Sequence, residues 1–234
     1  MKLSYRLKHI IEMCNYSETI IDVGCDHGYI SINLINENKC KQCYAVDINV
    51  KPLNNAIENI KLYNMENKIK CILSNGFDFL NEIKKTSAII AGMGGITSAK
   101  ILEENRNKVS QMDYILIQPN SYAKDVRRYI VEEKLHIEKE DVIFCEGLYY
   151  EYILIFPKQQ ENFDKDKRKF LLKFGYDIPS CIIENFGGKY NNYINWRIEK
   201  YKKILLELSN NGLNKSEKYI YLCNKIKILK RWLK

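Results

Sequence analysis

No run of apolar residues in this chain is long enough to cross a bilayer, so no membrane span is expected. Met1 to Met13 carries scattered charges and no small-residue cleavage site, which argues against a signal peptide and for a cytoplasmic protein. Histidine is scarce, with three residues in all. No Ser-His-Asp arrangement and no P-loop is present, which sets aside those hydrolase and phosphate-loop chemistries. Cys40-x-x-Cys43 has no second pair and no nearby His to complete a zinc site, so no metal is expected. The eight cysteines are scattered among apolar neighbours and read as reduced core residues. No internal repeat or low-complexity tract is evident. The dinucleotide fingerprint G-x-G-x-x-G is missing as well.

What is present is an apolar content of 46% in 234 residues, ample for one large domain, or one domain and an appendage. The net charge of +8 is unevenly spread. From Lys158 onward there are 18 Lys/Arg against 8 Asp/Glu, leaving residues 1–157 near neutral. A basic appendage on a neutral core fits a polyanionic partner, since phosphate contacts supply most non-specific affinity. A solvated Lys-rich surface would give the same count.

The hydrophobic pattern alternates between strand and helix. Leu3, Leu7, Ile10 and Ile11 make one face of a short helix over 3–13. Strands are expected at Thr19–Val23, Cys43–Asp47, Ile69–Leu73, Ala88–Ala91 and Tyr114–Gln118. Helices are expected from Gly28 to Asn36, after Asn49 with Leu53, Ala56, Ile57 and Ile60 inward, over Ile96–Lys108, and over Tyr122–Lys134. The alternation then stops. His136–Cys145 and Leu148–Phe156 read as strands joined by Glu146-Gly147, a hairpin signal, so the sheet ends antiparallel. A charged linker over Lys158–Lys169 leads to two heptad-like seams, one with Ile194, Ile198, Tyr201, Leu205 and Leu208, the other with Tyr219, Leu222, Ile226, Leu229 and Leu233. Asn210-Asn211-Gly212 stops the first helix, and Asn214 or Ser216 caps the second. The expectation is a domain over 1–157 and a basic antiparallel helical hairpin within 158–234, with monomer favoured because the two seams can satisfy each other.

Thr19-Ile20-Ile21-Asp22-Val23-Gly24-Cys25-Asp26-His27-Gly28 is a strand, a tight loop and a helix start, the place where α/β sheets hold nucleotide-like ligands. Its spacing, D-x-G-x-x-x-G, resembles the S-adenosylmethionine loop of class I methyltransferases. Gly24 and Gly28 would admit backbone close to a ligand, and a carboxylate here would accept from its ammonium group. An ordinary turn capped by Asp26 is the plain alternative. Asp47 ends the next strand, where an acid accepts from ribose hydroxyls, although a helix cap is the competing role. Ser74-Asn75-Gly76 would lie beside the adenine, or be a simple turn. Ala91-Gly92-Met93-Gly94-Gly95 puts three glycines after a buried strand, where backbone would line a tight cavity. Gln118-Pro119-Asn120 carries amides able to read a base edge, or is a Pro turn. His27 sits in the glycine loop as a potential base or hydrogen-bond partner. His9 and His136 read as structural.

Leu3-Ser4-Tyr5-Arg6-Leu7, Asp22-Val23-Gly24-Cys25-Asp26-His27-Gly28-Tyr29, Asn75-Gly76, Ala91-Gly92-Met93-Gly94-Gly95, Ile117-Gln118-Pro119-Asn120 and Tyr150-Glu151 together resemble the bacterial TrmK family, the tRNA (adenine-22-N1) methyltransferases. The resemblance covers roughly residues 1–157 in order, and the helical hairpin matches the family's C-terminal coiled coil. It implies a class I methyltransferase of α/β, Rossmann-like fold with a seven-stranded sheet, S-adenosylmethionine as cofactor and tRNA as partner. Asp22, Gly24, Asp26 and Gly28 are then expected at the cofactor, with Asp47 where the family usually has Glu. Asn75, Gly76, Gly92 and Met93 complete that set. Arg6, Tyr29, Gln118 and Asn120 are expected to face the substrate, with Asp26 and His27 in catalytic positions. The family often carries an Asp a few residues before A-G-M-G-G, where this chain has Thr86-Ser87. Other readings stay open on sequence: methylation of another RNA or a protein, a non-catalytic RNA-binding protein of the same fold, or, least in keeping with the glycine spacing, an NAD enzyme.

Overall fold

The computed structural model describes residues 3–158, 165–184 and 186–233. Seven strands form one sheet in the order β3-β2-β1-β4-β5-β7-β6. These are β1 Ser17–Val23, β2 Cys40–Asp47, β3 Ile69–Leu73, β4 Thr86–Ala91, β5 Ile115–Gln118, β6 His136–Cys145 and β7 Leu148–Phe156. β1 to β5 run parallel, and β7 pairs antiparallel with β5 and β6. β4 is buried along its whole length, as the apolar run Ala88–Ala91 requires of a strand covered on both faces, and Thr86 and Ser87 are buried with it. The chain builds outward from β1 to β3, then returns to β4 on the other side of β1. That reversal opens a crevice at the carboxyl ends of β1 and β4, where α/β sheets place their ligands.

One face of the sheet carries α1 (Tyr5–Met13), α2 (Tyr29–Asn36) and α3 (Val50–Leu62), sealed by Ile10, Ile32, Leu53 and Ile60 against Ile20 and Ala45. The other carries α4 (Gly95–Glu104), α5 (Arg106–Val109) and α6 (Ala123–Glu132), with Leu102, Val126 and Ile130 against Ile21 and Ile90. The β6–β7 turn holds Glu146 at φ 51° and Gly147 at φ 82°. Two successive positive φ values match a tight two-residue turn to the strand twist, which is why an X-Gly pair sits there.

Several boundaries differ from the sequence expectation. The helix expected over Ile96–Lys108 breaks at Asn105, whose buried Nδ2 donates to the Ile101 carbonyl at 3.0 Å. That back-bond competes with the helix's own ladder. Ile57, expected inward on α3, is 44% exposed, because the buried stripe is Leu53, Ala56 and Ile60. Within the expected linker over Lys158–Lys169, residues 159–164 lie outside the described residues, and Lys165–Lys173 form helix α7 with Phe170 and Leu171 buried.

The C-terminal hairpin consists of α8 (Asn191–Asn210) and α9 (Glu217–Lys230). Gly212, at φ 71°, follows α8, and Ser216 Oγ accepts from Tyr219 N at 3.2 Å to cap α9. Of the expected seam residues, Ile194, Ile198, Tyr201, Leu222 and Leu229 are buried, while Leu205, Leu208, Tyr219, Ile226 and Leu233 are only partly buried. Tyr193 and Ile194 also belong to the hydrophobic cluster on the sheet, so the base of the hairpin is rooted in the main core. The seams hide one charge the spacing did not reveal: Lys225 is buried, its Nζ 3.5 Å from Asp177 Oδ2.

Candidate active site

The loop after β1 is built from both sides. Asp22 is buried, and its Oδ2 accepts from Ser31 N at 3.2 Å and Ser31 Oγ at 2.7 Å. Burial pushes its carboxyl up to about 6; the Ser31 bonds hold it down in part, and the neighbouring Asp47 charge adds to the rise. Gly24 follows at φ 74°. The Met93 methyl group occupies the space a side chain at residue 24 would need. Asp26, at φ 48°, and His27 continue the loop, with Asp26 Oδ2 3.7 Å from His27 Nε2. The His27 ring stacks on Tyr29 at 5.4 Å and 16°. Its carbonyl accepts from Asn59 Nδ2 at 2.9 Å, which ties the loop to α3.

Asp47 closes β2 with its carboxylate mostly covered. Its Oδ1 accepts from Asn49 N at 2.9 Å, and no described residue donates to its other oxygen. Asn49 stands at the helix-cap position without a side-chain cap bond. Asp47 is therefore a turn-former with one oxygen to spare.

The loops after β4 and β5 are laced together. Gly92 N donates to Gln118 O at 3.0 Å, Asn120 N to Met93 O at 2.7 Å, and Gly95 N to Ser121 O at 2.7 Å. Asn120 Nδ2 donates to Gly92 O at 2.7 Å. A side chain at Gly95 would strike the Tyr122 carbonyl. Gly94 and Gly95 thus serve loop packing, while Gly92, at φ 78°, and Met93 face the cavity. A row of side chains borders the same cavity: Arg6 Nη1 donates to Gln118 Oε1 at 2.5 Å, and Gln118 Nε2 donates to Asn120 Oδ1 at 3.2 Å. Tyr152 OH donates to the Arg6 carbonyl at 3.0 Å and fixes α1 over the sheet edge.

These elements enclose a cavity of about 810 Å³, within the range of small-molecule sites. It is lined by Arg6, Gly24, Asp26, His27, Tyr29, Asp47, Asn75, Gly76, Gly92, Met93 and Asn120, all drawn together from separate loops. Three expected residues stand behind this wall. Asp22 is turned onto Ser31. Gly28, at φ 70°, begins α2, and a Cβ there would lie 3.2 Å from Ala56 Cβ, so it permits the α2–α3 contact. Gln118 is fully buried and acts on the cavity through Arg6 and Asn120. Thr86 and Ser87, the family departure, lie at the opposite end of β4 and do not line the cavity.

The structure adds Thr97, Lys100, Ile101 and Glu104, one face of α4, to the lining, with Lys100 Nζ 3.6 Å from Glu104 Oε1. Their three- and four-residue spacing directly after the glycine loop was the available signal. Ile48, 64% exposed at the rim, had none. Among the described residues, no group of three or more His, Cys, Asp or Glu could hold a metal ion, and no helix is long and apolar enough to cross a membrane.

Residues 3–153 match the methyltransferase domain family. The chain is 25% identical over 154 residues to the tRNA (adenine(22)-N(1))-methyltransferase of Bacillus subtilis, a match covering 66% of this chain and 65% of that protein. It superposes on M. capricolum TrmK in complex with S-adenosyl-homocysteine at a TM-score of 0.79 and 30% identity, covering 99% of this chain and 98% of the other. Sp1610 of Streptococcus pneumoniae, a putative tRNA (m1A22) methyltransferase in complex with S-adenosyl-L-methionine, superposes at a TM-score of 0.76 with 25% identity over the full length of both chains.

Proposed function

The chain belongs to the TrmK family of methyltransferase-domain proteins, and on that footing we propose that it transfers the methyl group of S-adenosylmethionine to N1 of adenosine 22 in tRNA. The observation that carries the reading is the convergence on one cavity of the Gly24 loop, a carboxylate with one unengaged oxygen at Asp47, the Asn75-Gly76 turn and the Arg6–Gln118–Asn120 row.

The residues fit that cofactor. Gly24 lines the cavity, where its backbone can contact the methionine part. Asp47 offers its second oxygen to the ribose hydroxyls, and Asn75 and Gly76 take the adenine side. S-adenosylmethionine supplies a methyl group on a sulfonium, open to direct attack. Adenine N1 carries an in-plane lone pair and is unprotonated at neutral pH, so the protein's main task is to position it in line. The His27–Tyr29 stack offers a flat surface to a base swung out of the tRNA. Asn120, held by Gly92 and Gln118, and Arg6 stand ready at its polar edge. The Asp26 carboxylate, beside His27, offsets the positive charge the ring gains on methylation and accepts from N6.

The basic segment 158–234 is proposed to hold the tRNA backbone without reading sequence. The packing of α9 on α8, with Tyr201, Leu222 and Leu229 buried, supports a monomer, and a tRNA substrate supports a cytoplasmic site of action. The test is methyl transfer from labelled S-adenosylmethionine to unmodified tRNA, with the product mapped. N1-methyladenosine at position 22, lost when that base is changed to guanine, is the expected result. Cofactor binding with methylation of some other acceptor alone would overturn the substrate.

A further inference from the structure

The β6–β7 hairpin reaches beyond the sheet. β5 ends at Gln118, and its register with β7, Ile117 opposite Ile153, leaves residues 148–151 past the carboxyl edge where the cavity opens. The two faces of this projection differ. Tyr150 lies on one face with Arg6, whose guanidinium is 5.7 Å from its ring and which lines the cavity. On the other face Phe144 and Tyr149 are direct cross-strand partners with rings 4.9 Å apart. Tyr149 in turn meets Trp196 of α8 at 4.9 Å, and Lys200, one turn on, holds its ammonium 3.9 Å from the indole centroid.

Ordinary packing leaves two features of this cluster unexplained. Phe144 is 59% exposed on the outermost strand of the sheet, a place where natural proteins favour charge over open aromatic surface. Lys200 makes no ion pair among the described residues. The two carboxylates whose charge reaches it, Glu151 and Asp177, are engaged by Arg127 and Tyr193 and by Arg197 and Tyr201. An open ring at one end of an aromatic row, with a cation that no carboxylate neutralises over the row's other end, combines the two elements by which proteins hold an unstacked nucleobase and a backbone phosphate.

We propose that Phe144, at the open end of the aromatic row it forms with Tyr149 and Trp196, and with Lys200 over the Trp196 end, is a stacking platform for a second, unmethylated nucleotide of the RNA substrate. The RNA straddles the Glu146-Gly147 crest. Its target base enters the cavity on the Arg6 side, and an unpaired neighbour lies on Phe144 with a backbone phosphate at Lys200. This rests on the RNA reading above and adds a binding site to it.

The experiment uses the full chain and unmodified tRNA, with binding followed by fluorescence anisotropy and methylation measured in parallel. Phe144→Ala and Lys200→Ala alter exposed side chains outside the core. Each is expected to weaken tRNA binding and raise KM by about tenfold, with kcat and S-adenosylmethionine affinity unchanged. Phe144→Tyr retains wild-type binding, while Phe144→Leu behaves as Phe144→Ala, since stacking needs a ring and mere burial does not. An abasic substitution at one tRNA position other than 22 should cost wild type the same factor and cost Phe144→Ala nothing further. Wild-type affinity in Phe144→Leu, or a loss of self-association in Phe144→Ala with tRNA affinity intact, overturns the platform. If wild type binds tRNA through Phe144 but does not methylate it, the catalytic reading fails and the platform stands. Absence of tRNA binding overturns both.

Discussion

The Met93 methyl group sits in the space that a side chain at residue 24 would occupy, so a Cβ there would have to push the flexible end of Met93 aside. The Gly24 φ of 74° adds a second demand, since left-handed backbone costs other residues about 1–2 kcal/mol. Gly24→Ala is expected to weaken S-adenosylmethionine binding by at least about tenfold, a loss of roughly 1.4 kcal/mol, measured by calorimetry. Adding Met93→Ala should recover the steric share and leave the backbone share. Full recovery in the double variant would show that φ is not limiting.

Asp47 uses one oxygen to hold Asn49 N and has none of the described residues donating to the other. Asp47→Asn preserves the turn but can present an amide donor where the ribose hydroxyls need an acceptor. Hydrogen bonds to a charged group contribute about 1.5–3 kcal/mol, so S-adenosylmethionine affinity should fall by roughly 10- to 150-fold with little change in melting temperature. Equal affinity in Asp47→Asn and wild type would remove Asp47 from the ribose contact.

Asp22 makes stability depend on pH in an unusual direction for a carboxylate. Its pKa rises from 3.8 to about 6 on folding, chiefly through burial. Below about pH 4 both states are protonated and no penalty applies. As pH rises towards about 6 the unfolded state ionises first, and stability falls by about 3 kcal/mol in total before levelling off. Asp22→Asn keeps an oxygen for Ser31 while removing the charge. Urea titrations across this range should show the wild-type decline flattened in the variant, with the variant more stable at neutral pH. A wild-type contribution that grows with pH in this window, abolished by Asp22→Asn, would contradict the assignment.

The legible parts of this structure were those set by local pattern. The β-branched run before Asp22 and the apolar run before Asp47 marked both strands and the loops that follow them, and Glu146-Gly147 marked the closing hairpin. The residues that face the cavity from these loops are near strand ends, where topology alone brings them together. Asp22 and Gly28 carry the same motif yet stand behind the wall, because their partners, Ser31 and Ala56, are contacts that spacing does not encode. Asn105 breaks a helix through a side-chain bond that amphipathic periodicity cannot register. Lys225 falls inside an apolar seam as a charge, and only the position of Asp177 explains it.

Arg127 is the same kind of hidden residue at larger scale. It is charged, fully buried, and looks on sequence like one polar residue of an amphipathic helix. Its Nε donates to Glu140 Oε1 at 2.6 Å, its Nη2 to Glu151 Oε2 at 2.5 Å, and its Nη1 to the Tyr176 carbonyl at 3.2 Å. Glu140 Oε2 accepts from Ser180 N at 2.5 Å and also from Ser180 Oγ, while Glu151 Oε1 accepts from Tyr193 OH at 2.7 Å. One guanidinium therefore joins α6 and the last two strands to the C-terminal segment. Burial works against the ionised form of Glu151, yet Arg127, Arg197 and Tyr193 hold its carboxyl below the usual range. Arg127→Met would leave two buried carboxylates uncompensated and is expected to cost about 3–5 kcal/mol, or roughly 6–20 °C in melting temperature. Replacing Glu140 and Glu151 with Gln in the same chain should restore much of that loss, because the penalty lies in the unpaired charges. If the triple variant melts no higher than Arg127→Met, the hydrogen-bond geometry at Ser180 and Tyr193, more than charge balance, is what fastens the C-terminal segment to the sheet.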